Sequence, residues 1–302
     1  MIDIFVTFYS QNWFAHIVLP LLRDCLNSIE QFSEVPHQAY IVDNGSDKEV
    51  QEELETWQWP LIKVEDPFKN YSTVMNAAIR AAKTEQFVCL HGDMKVTENW
   101  LKTLVEEYAY CEEYFETPCC LTPHFLHYEA PENHILWREG ATNLMTSEEM
   151  HNLCIHYQIP YRVGTGVISR LPYKGVIERS GTAITDDGSH LMSFIGTHAF
   201  FEKSGLYDVD FTGREDNEMG MRALMKGLKI LQTHNVFIHH APSASAGRGP
   251  LLTSGRNPYE VFLEKYGKTV WDKLENGELW IELHEKQYKA EKEKKMDLVM
   301  KI

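Results

Sequence analysis

Residues 39–47 read Ala39-Tyr40-Ile41-Val42-Asp43-Asn44-Gly45-Ser46-Asp47. A short apolar run of strand type stops abruptly on five consecutive turn formers. Upstream, Ile2–Phe8 is a second run rich in β-branched and aromatic residues. Leu22, Leu26 and Ile29 follow it at helical spacing. Downstream, Val50–Trp57 reads as a helix with Glu52, Glu53 and Glu55 solvated, Leu61–Val64 as a strand and Ala-rich Thr73–Ala82 as a helix. Phe87–Leu90 is a fourth strand, which ends on His91-Gly92-Asp93. Strand and helix patterns alternate to about residue 105. This predicts an α/β domain with a largely parallel sheet, whose ligands gather at the carboxyl ends of the strands.

Beyond that point the pattern loosens. An acidic helix (Glu106, Glu107, Glu112, Glu113, Glu116) reads as a solvated face, and 107–190 has few clean periods. Regular structure returns at Met192–Phe201, followed by a helix over about Asp216–Lys226 with Met221, Leu224, Met225 and Leu228 on one face. Lys229–Gln232 and Val236–His239 are strand-like. Ser243–Arg256 is a Gly/Ser-rich loop, and a helical tail follows with a Lys/Glu-mixed end over 284–302. That end reads as a solvated terminal helix, or as one that touches an anionic surface or pairs with another subunit.

The chain has 302 residues and a formal net charge of −15, from 29 Lys+Arg against 44 Asp+Glu. Such a balance opposes general binding to nucleic-acid phosphates or anionic membranes. No stretch reaches the roughly 20 apolar residues of a membrane span; Trp13–Leu22 is broken by His16 and Pro20. No secretory signal is recognisable. Six cysteines without a CxxC pair read as reduced, mostly buried thiols, hence a cytoplasmic protein without a zinc site.

Polar clusters fall just after strands: Asp43 with Asn44, Asp93, Glu215–Asp216 and His239–His240. Strand-end groups of a parallel sheet share one rim, so these can converge although far apart in sequence. Carboxylate and imidazole together suit a divalent metal holding a polyphosphate, with a spare carboxylate as general base. Asp and Asn are equally ordinary turn residues, and acids are favoured at a helix N-terminus whatever their chemistry.

Taken in order, these segments resemble family 2 glycosyltransferases of the GT-A fold. The resemblance is carried by Val6-Thr7-Phe8, Leu21 to Ile29, Ile41 to Asp47, and Asn70 with Met75 to Ala82. It continues through Phe87 to Asp93, Gly196 to Asp208, Gly213 to Glu218 with Met221 to Ile230, and Val236 to His240. It implies a single Rossmann-like GT-A domain over 1–255. Within it, 1–105 would be the nucleotide-binding half, 106–190 a variable acceptor-side region and 191–255 the acceptor and catalytic half. A C-terminal helical extension would occupy 256–302.

The activity implied is inverting transfer of a sugar from a nucleotide-diphosphate donor, a UDP-sugar first, to a hydroxyl of a saccharide or glycoconjugate. Thr7 and Tyr9 would line the nucleotide pocket, Asp43 would read the base, and Asn70 and Asn76 would shape the site. Asp93 would hold Mn²⁺ or Mg²⁺ on the diphosphate, with His239 as second ligand and His240 as the alternative. Asp216 would be the general base, with Glu215 beside it.

One residue departs from the family pattern: His91 stands where the first aspartate of the aspartate-x-aspartate motif is expected, and Gly92 between the two carries no evident role. An imidazole there can bond a ribose or ligate a metal but supplies no negative charge. The Ser243–Arg256 loop could close over the donor with Arg248 or Arg256 on the leaving diphosphate, or be a plain connector. Two competing functions remain open: a modified base in DNA as acceptor, which the charge disfavours, and a nucleotide-sugar-binding protein without turnover. The −15 charge also sharpens the metal expectation, because an acidic rim repels a diphosphate unless a cation lies between them.

Overall fold

The computed structural model describes residues 1–66, 70–127, 177–179, 182–186, 191–211, 214–240 and 257–279, with 282, 283, 285–287 and 289. Cys154, Arg248, Arg256, the Ser243–Arg256 loop and most of the terminal tail lie outside the described residues.

Among the described residues ten strands form one sheet, in the order β3-β2-β1-β4-β9-β6-β10-β8-β7, with β5 paired to β10. They are β1 (Ile2–Phe8), β2 (His37–Asp43), β3 (Leu61–Lys63), β4 (Gln86–His91), β5 (Met94–Lys95), β6 (Cys119–His127), β7 (Ile177–Arg179), β8 (Thr182–Asp186), β9 (Phe194–Thr197) and β10 (Lys229–His240). The helices are α1 (Ala15–Phe32), α2 (Lys48–Leu54), α3 (Tyr71–Ala81), α4 (Trp100–Phe115), α5 (His198–Ser204), α6 (Glu215–Met225), α7 (Pro258–Tyr266) and α8 (Lys268–Glu275).

β1 is buried along its whole length, the signature of a strand covered on both faces. Its side chains alternate between two cores. Ile4 and Val6 meet Leu22, Leu26 and Ile29 of α1 and Leu101 and Leu104 of α4. Phe5 meets Val74, Met75 and Ala78 of α3, Phe200 of α5 and Met219 of α6. β1 pairs in parallel with β2 on one side and β4 on the other. The chain therefore steps outward to β3 and then returns across β1. This makes a topological switch point whose crevice opens at the carboxyl ends of β1, β2 and β4. β9 runs antiparallel to both β4 and β6, and β10 runs parallel to β6. Hence β4, β6 and β10 end on the same rim.

Several sequence expectations shift. α1 continues through Pro20 and starts earlier than the Leu22 periodicity suggests. The acidic helix is part of α4, and it is not wholly a solvated face: Glu107 is buried beside Tyr108 and Cys111. Met192–Phe201 divides into β9 and α5. Met225 is 58% exposed; Met219 and Ala223 form the face of α6 toward the sheet, where buried Leu228 just beyond its end joins them, and Met221 and Leu224 form the opposite, outer face. The two strands expected over 229–239 are one long β10, with a register shift between Gln232 and Phe237. All five described cysteines are buried and free. Among the described residues no helix is long and apolar enough to cross a membrane.

α7 and α8 do not stand apart. Val261, Phe262 and Leu274 pack with Phe211, Met221 and Leu224 in a third core against the outer face of α6.

Candidate active site

The turn after β4 is held tightly under β1. The Gly92 N–H donates to the Thr7 carbonyl at 2.9 Å. A Cβ at residue 92 would meet Leu22 Cδ1 at 3.0 Å, Phe8 Cδ2 at 3.2 Å and the Thr7 carbonyl at 3.3 Å. A side chain would crowd this approach, so glycine at 92 eases the tight packing under β1, a role that shows only in the structure. The chain then enters β5, which pairs antiparallel with the end of β10 and sets Met94 opposite His240 and Lys95 opposite His239. Asp93 is carried to His240 by that pairing. The carboxylate Oδ1 lies 3.4 Å from His240 Nε2, and both side chains are buried. The His91 ring stands edge-on to His240 at 6.0 Å.

One ligand atom each from His91, Asp93 and His240 lie within 4.8 Å of one another. Bonds of about 2.0–2.4 Å to one ion allow separations up to about that value. The three residues therefore fit a single divalent ion, and one carboxylate with two imidazoles is a donor set suited to first-row metals such as Mn²⁺. His239, the expected companion of Asp93, is not in this group, and His240, the alternative, is. Successive residues of a strand face opposite sides, and here the site side belongs to His240.

Burial drives the His91 imidazole down to about 4; Asp93 and Asp216 pull it upward, and His240 pushes it further down. The ring is thus neutral at pH 7, the form a metal ligand requires. Its Nε2 lies 2.8 Å from the Tyr71 hydroxyl, which itself donates to the Met192 carbonyl at 3.0 Å. The fields of Asp216, Glu215 and Asp93 all reach this phenol and raise it, after burial and Cys89. Two acids from the start of α6 and one from the β4–β5 turn are therefore all felt at this phenol.

Glu215 and Asp216 are half-buried at the first turn of α6, and Asp216 Oδ1 accepts from the Asn217 N–H at 2.9 Å. Arg214 before them takes a left-handed backbone, φ 66°, and its guanidinium pairs with Glu275 of α8 at 3.0 Å. Deeper in the helix, Glu218, 1% exposed, is gripped by Arg222 at 2.8 and 2.9 Å and by the Tyr266 hydroxyl at 2.5 Å. Arg222 also donates to the Ser204 and Leu206 carbonyls at 2.6 and 2.8 Å. Gly205 between them has φ +87°, and a Cβ there would come within 2.7 Å of the guanidinium. Arg222→Ala would leave a buried carboxylate without its cation. We expect a loss of about 3–5 kcal/mol in urea unfolding, with Arg222→Lys losing less.

The remaining expected site residues are placed as follows. Asp43 is enclosed at the end of β2. Both its oxygens accept from the Ser46 N–H at 3.1 Å, the Ser46 hydroxyl also bonds it, and Gln51 Nε2 reaches Oδ2 at 2.6 Å. These bonds shape the turn. Beside it, Gly45, Ser46, Gln51, Lys63, Val64, Glu65 and Asp66 line a cleft of about 440 Å³ at the ends of β2 and β3. Thr7 is buried, and its hydroxyl donates to the Leu90 carbonyl at 3.3 Å, across to β4. Burial first, then the charges of Asp47 and Asp43, raise the half-buried Tyr9 phenol against an opposing hydrogen bond with Gln11.

Asn70 and Asn76 are committed elsewhere. Asn70 Oδ1 caps α3 on the Ser72 N–H at 2.8 Å, while its Nδ2 donates to the Val209 carbonyl at 2.6 Å. Asn76 exchanges two bonds with the Tyr207 backbone at 2.8 and 2.9 Å. Both amides tie α3 to the segment before α6. Tyr71 was missed altogether, although an Asn cap followed at once by an aromatic marks a side chain fixed at a helix start.

A family model described as Glycosyl transferase family 2 matches residues 4–172. No curated protein matches in sequence. Among solved structures, GalNAc-T7 crystallised with UDP, GalNAc and Mn²⁺ is similar at TM-score 0.56 and 15% identity, over 90% of this chain and 49% of its own. S. aureus TarS 1–349 in complex with UDP-GlcNAc is similar at TM-score 0.50 and 13% identity, over 87% and 64%. The chain thus spans about half of the first and under two-thirds of the second. At these identities the likeness shows the fold, an α/β sheet of GT-A type.

Proposed function

Because the chain belongs to glycosyl transferase family 2, we propose that it moves a sugar from a UDP-sugar to a hydroxyl of a saccharide or glycoconjugate, with inversion. The observation that carries this reading is the gathering of His91, Asp93 and His240 within reach of one ion, at a place where the field of Asp216 from the other half of the chain is also felt. The two structural neighbours were crystallised with UDP and with UDP-GlcNAc, which supports the choice of nucleotide.

On this reading His91, Asp93 and His240 would hold Mn²⁺ or Mg²⁺. When bound, the ion would neutralise charge on the donor diphosphate and on the UDP that leaves. The uracil would enter the cleft beside β2 and β3, where Gln51 both lines the space and holds Asp43. Asp43 would then act through the turn it shapes. Asp216 would take the proton from the acceptor hydroxyl as that oxygen attacks the anomeric carbon, and Glu215 would add negative field beside it. One attack from the face opposite the leaving group inverts the centre. Residues 1–255 would form the transferase domain, with the helices beyond 256 bracing α6 through Tyr266 and Glu275.

A thermal-shift panel of nucleotide sugars with Mn²⁺ tests the donor assignment. A UDP-sugar at 100 times its Kd is expected to add about 2.7 kcal/mol of apparent stability and raise Tm by several degrees. No shift with any donor would remove the reading.

A further inference from the structure

We propose that Tyr71 is a positioning residue for His91, fixing the imidazole with its proton on Nε2 so that Nδ1 keeps the lone pair that meets the metal. The proposal rests on reading His91 as a metal ligand.

The protons at this contact can be counted. The Tyr71 hydroxyl has one, and it stands 3.0 Å from the Met192 carbonyl and 2.8 Å from His91 Nε2. A carbonyl can only accept, so the phenolic proton goes to Met192. The phenol oxygen must then accept from the ring, and Nε2 carries a hydrogen. A neutral imidazole protonated at Nε2 has its free lone pair on Nδ1. The donors run His91 to Tyr71 to Met192, and the His91 ring also bonds the Met192 backbone directly, so both routes end on a carbonyl that can only accept.

The phenol is itself held from several sides. Its backbone follows the Asn70 cap at the start of α3. Its ring lies 5.1 Å from the His91 ring and meets the edge of Tyr207 at 6.2 Å. The Tyr207 backbone is clasped by Asn76, and its hydroxyl donates to the Leu191 carbonyl at 2.5 Å. Two tyrosines thus grip consecutive carbonyls, at 191 and 192, just ahead of β9. Partners that orient a metal-bound histidine typically govern 10–100-fold of metal affinity.

Two measurements test the proposal, neither of which needs a sugar donor. In full-length Tyr71→Phe, Mn²⁺ binding followed by EPR is expected to weaken about tenfold or more, and the visible d–d spectrum of bound Co²⁺ to change. A merely structural hydroxyl would lower Tm and leave the Co²⁺ spectrum alone. In the unsubstituted protein, a two-bond ¹H–¹⁵N spectrum of the imidazoles should show His91 protonated at Nε2, its signals assigned by their loss in His91→Gln. That spectrum decides the matter even where the Phe variant folds poorly. Unchanged Mn²⁺ affinity with an unchanged Co²⁺ spectrum, or a proton on Nδ1, overturns this proposal alone. Failure of the unsubstituted protein to bind Mn²⁺ or Co²⁺ overturns it together with the metal reading beneath it.

Discussion

Replacing Asp93 with alanine is expected to lower kcat/KM by about 10³-fold or more, with loss of measurable Mn²⁺ binding. Asp93 is the one carboxylate among the three candidate ligands, and it is 1% exposed. Without it, only two imidazoles, which supply no negative charge, face a dication and a diphosphate inside a protein of net charge −15. A metal that stabilises developing phosphate charge contributes several kcal/mol, and each 1.36 kcal/mol is tenfold in rate. Asp93→Asn should fall nearly as far, because it keeps shape and loses charge. Circular dichroism and Tm separate this loss from unfolding. Mn²⁺-dependent activity surviving in both variants would take Asp93 out of the metal shell.

Asp216→Asn is the second large effect. General-base catalysis contributes about 10²–10⁴-fold, so kcat should drop within that range while donor and Mn²⁺ affinities hold. The amide oxygen can keep the bond from the Asn217 N–H, and α6 remains braced by Glu218, Arg222 and Tyr266. Glu215→Gln should cost far less. A variant of Asp216 that loses Mn²⁺ affinity in proportion to activity would move this carboxylate to the metal instead.

Much of the fold could be read from residues 1–105, since apolar runs closed by turn formers leave little freedom in where β1, β2 and β4 end. The strand-end acids were legible for the same reason: a parallel sheet puts them on one rim. What stayed hidden depends on distant partners. Asn70 and Asn76 bond backbone groups 139 and 131 residues away, and nothing in their type distinguishes a clamp from a ligand. The choice between His239 and His240 follows the parity of β10, and that parity is broken by the shift between Gln232 and Phe237. Five steps along β10, from 232 to 237, match two along β6, from 122 to 124, so counting alternation from Lys229 fails. Gly92 likewise shows its role only against Leu22, Phe8 and Thr7.

The C-terminal helices also change meaning. By composition they are a tail; in the structure Tyr266 and Glu275 hold the helix that bears Glu215 and Asp216. The left-handed Arg214 at its start is a conformation unfavourable by about 1–2 kcal/mol for a non-glycine residue, and its ion pair with Glu275 helps set the acids at the rim.

The central claim is that Asp93, His91 and His240 serve a metal-bridged sugar nucleotide while Asp216 serves the acceptor. Release of UDP from a panel of UDP-sugars, with Mn²⁺ and with EDTA, in the unsubstituted protein and Asp216→Asn, tests it most directly. We predict slow UDP release from one donor that needs Mn²⁺ and rises sharply once a suitable saccharide hydroxyl is supplied. In Asp216→Asn that rise should vanish while the donor remains bound. Equal release with EDTA, or no release from any donor with any acceptor, would contradict the account.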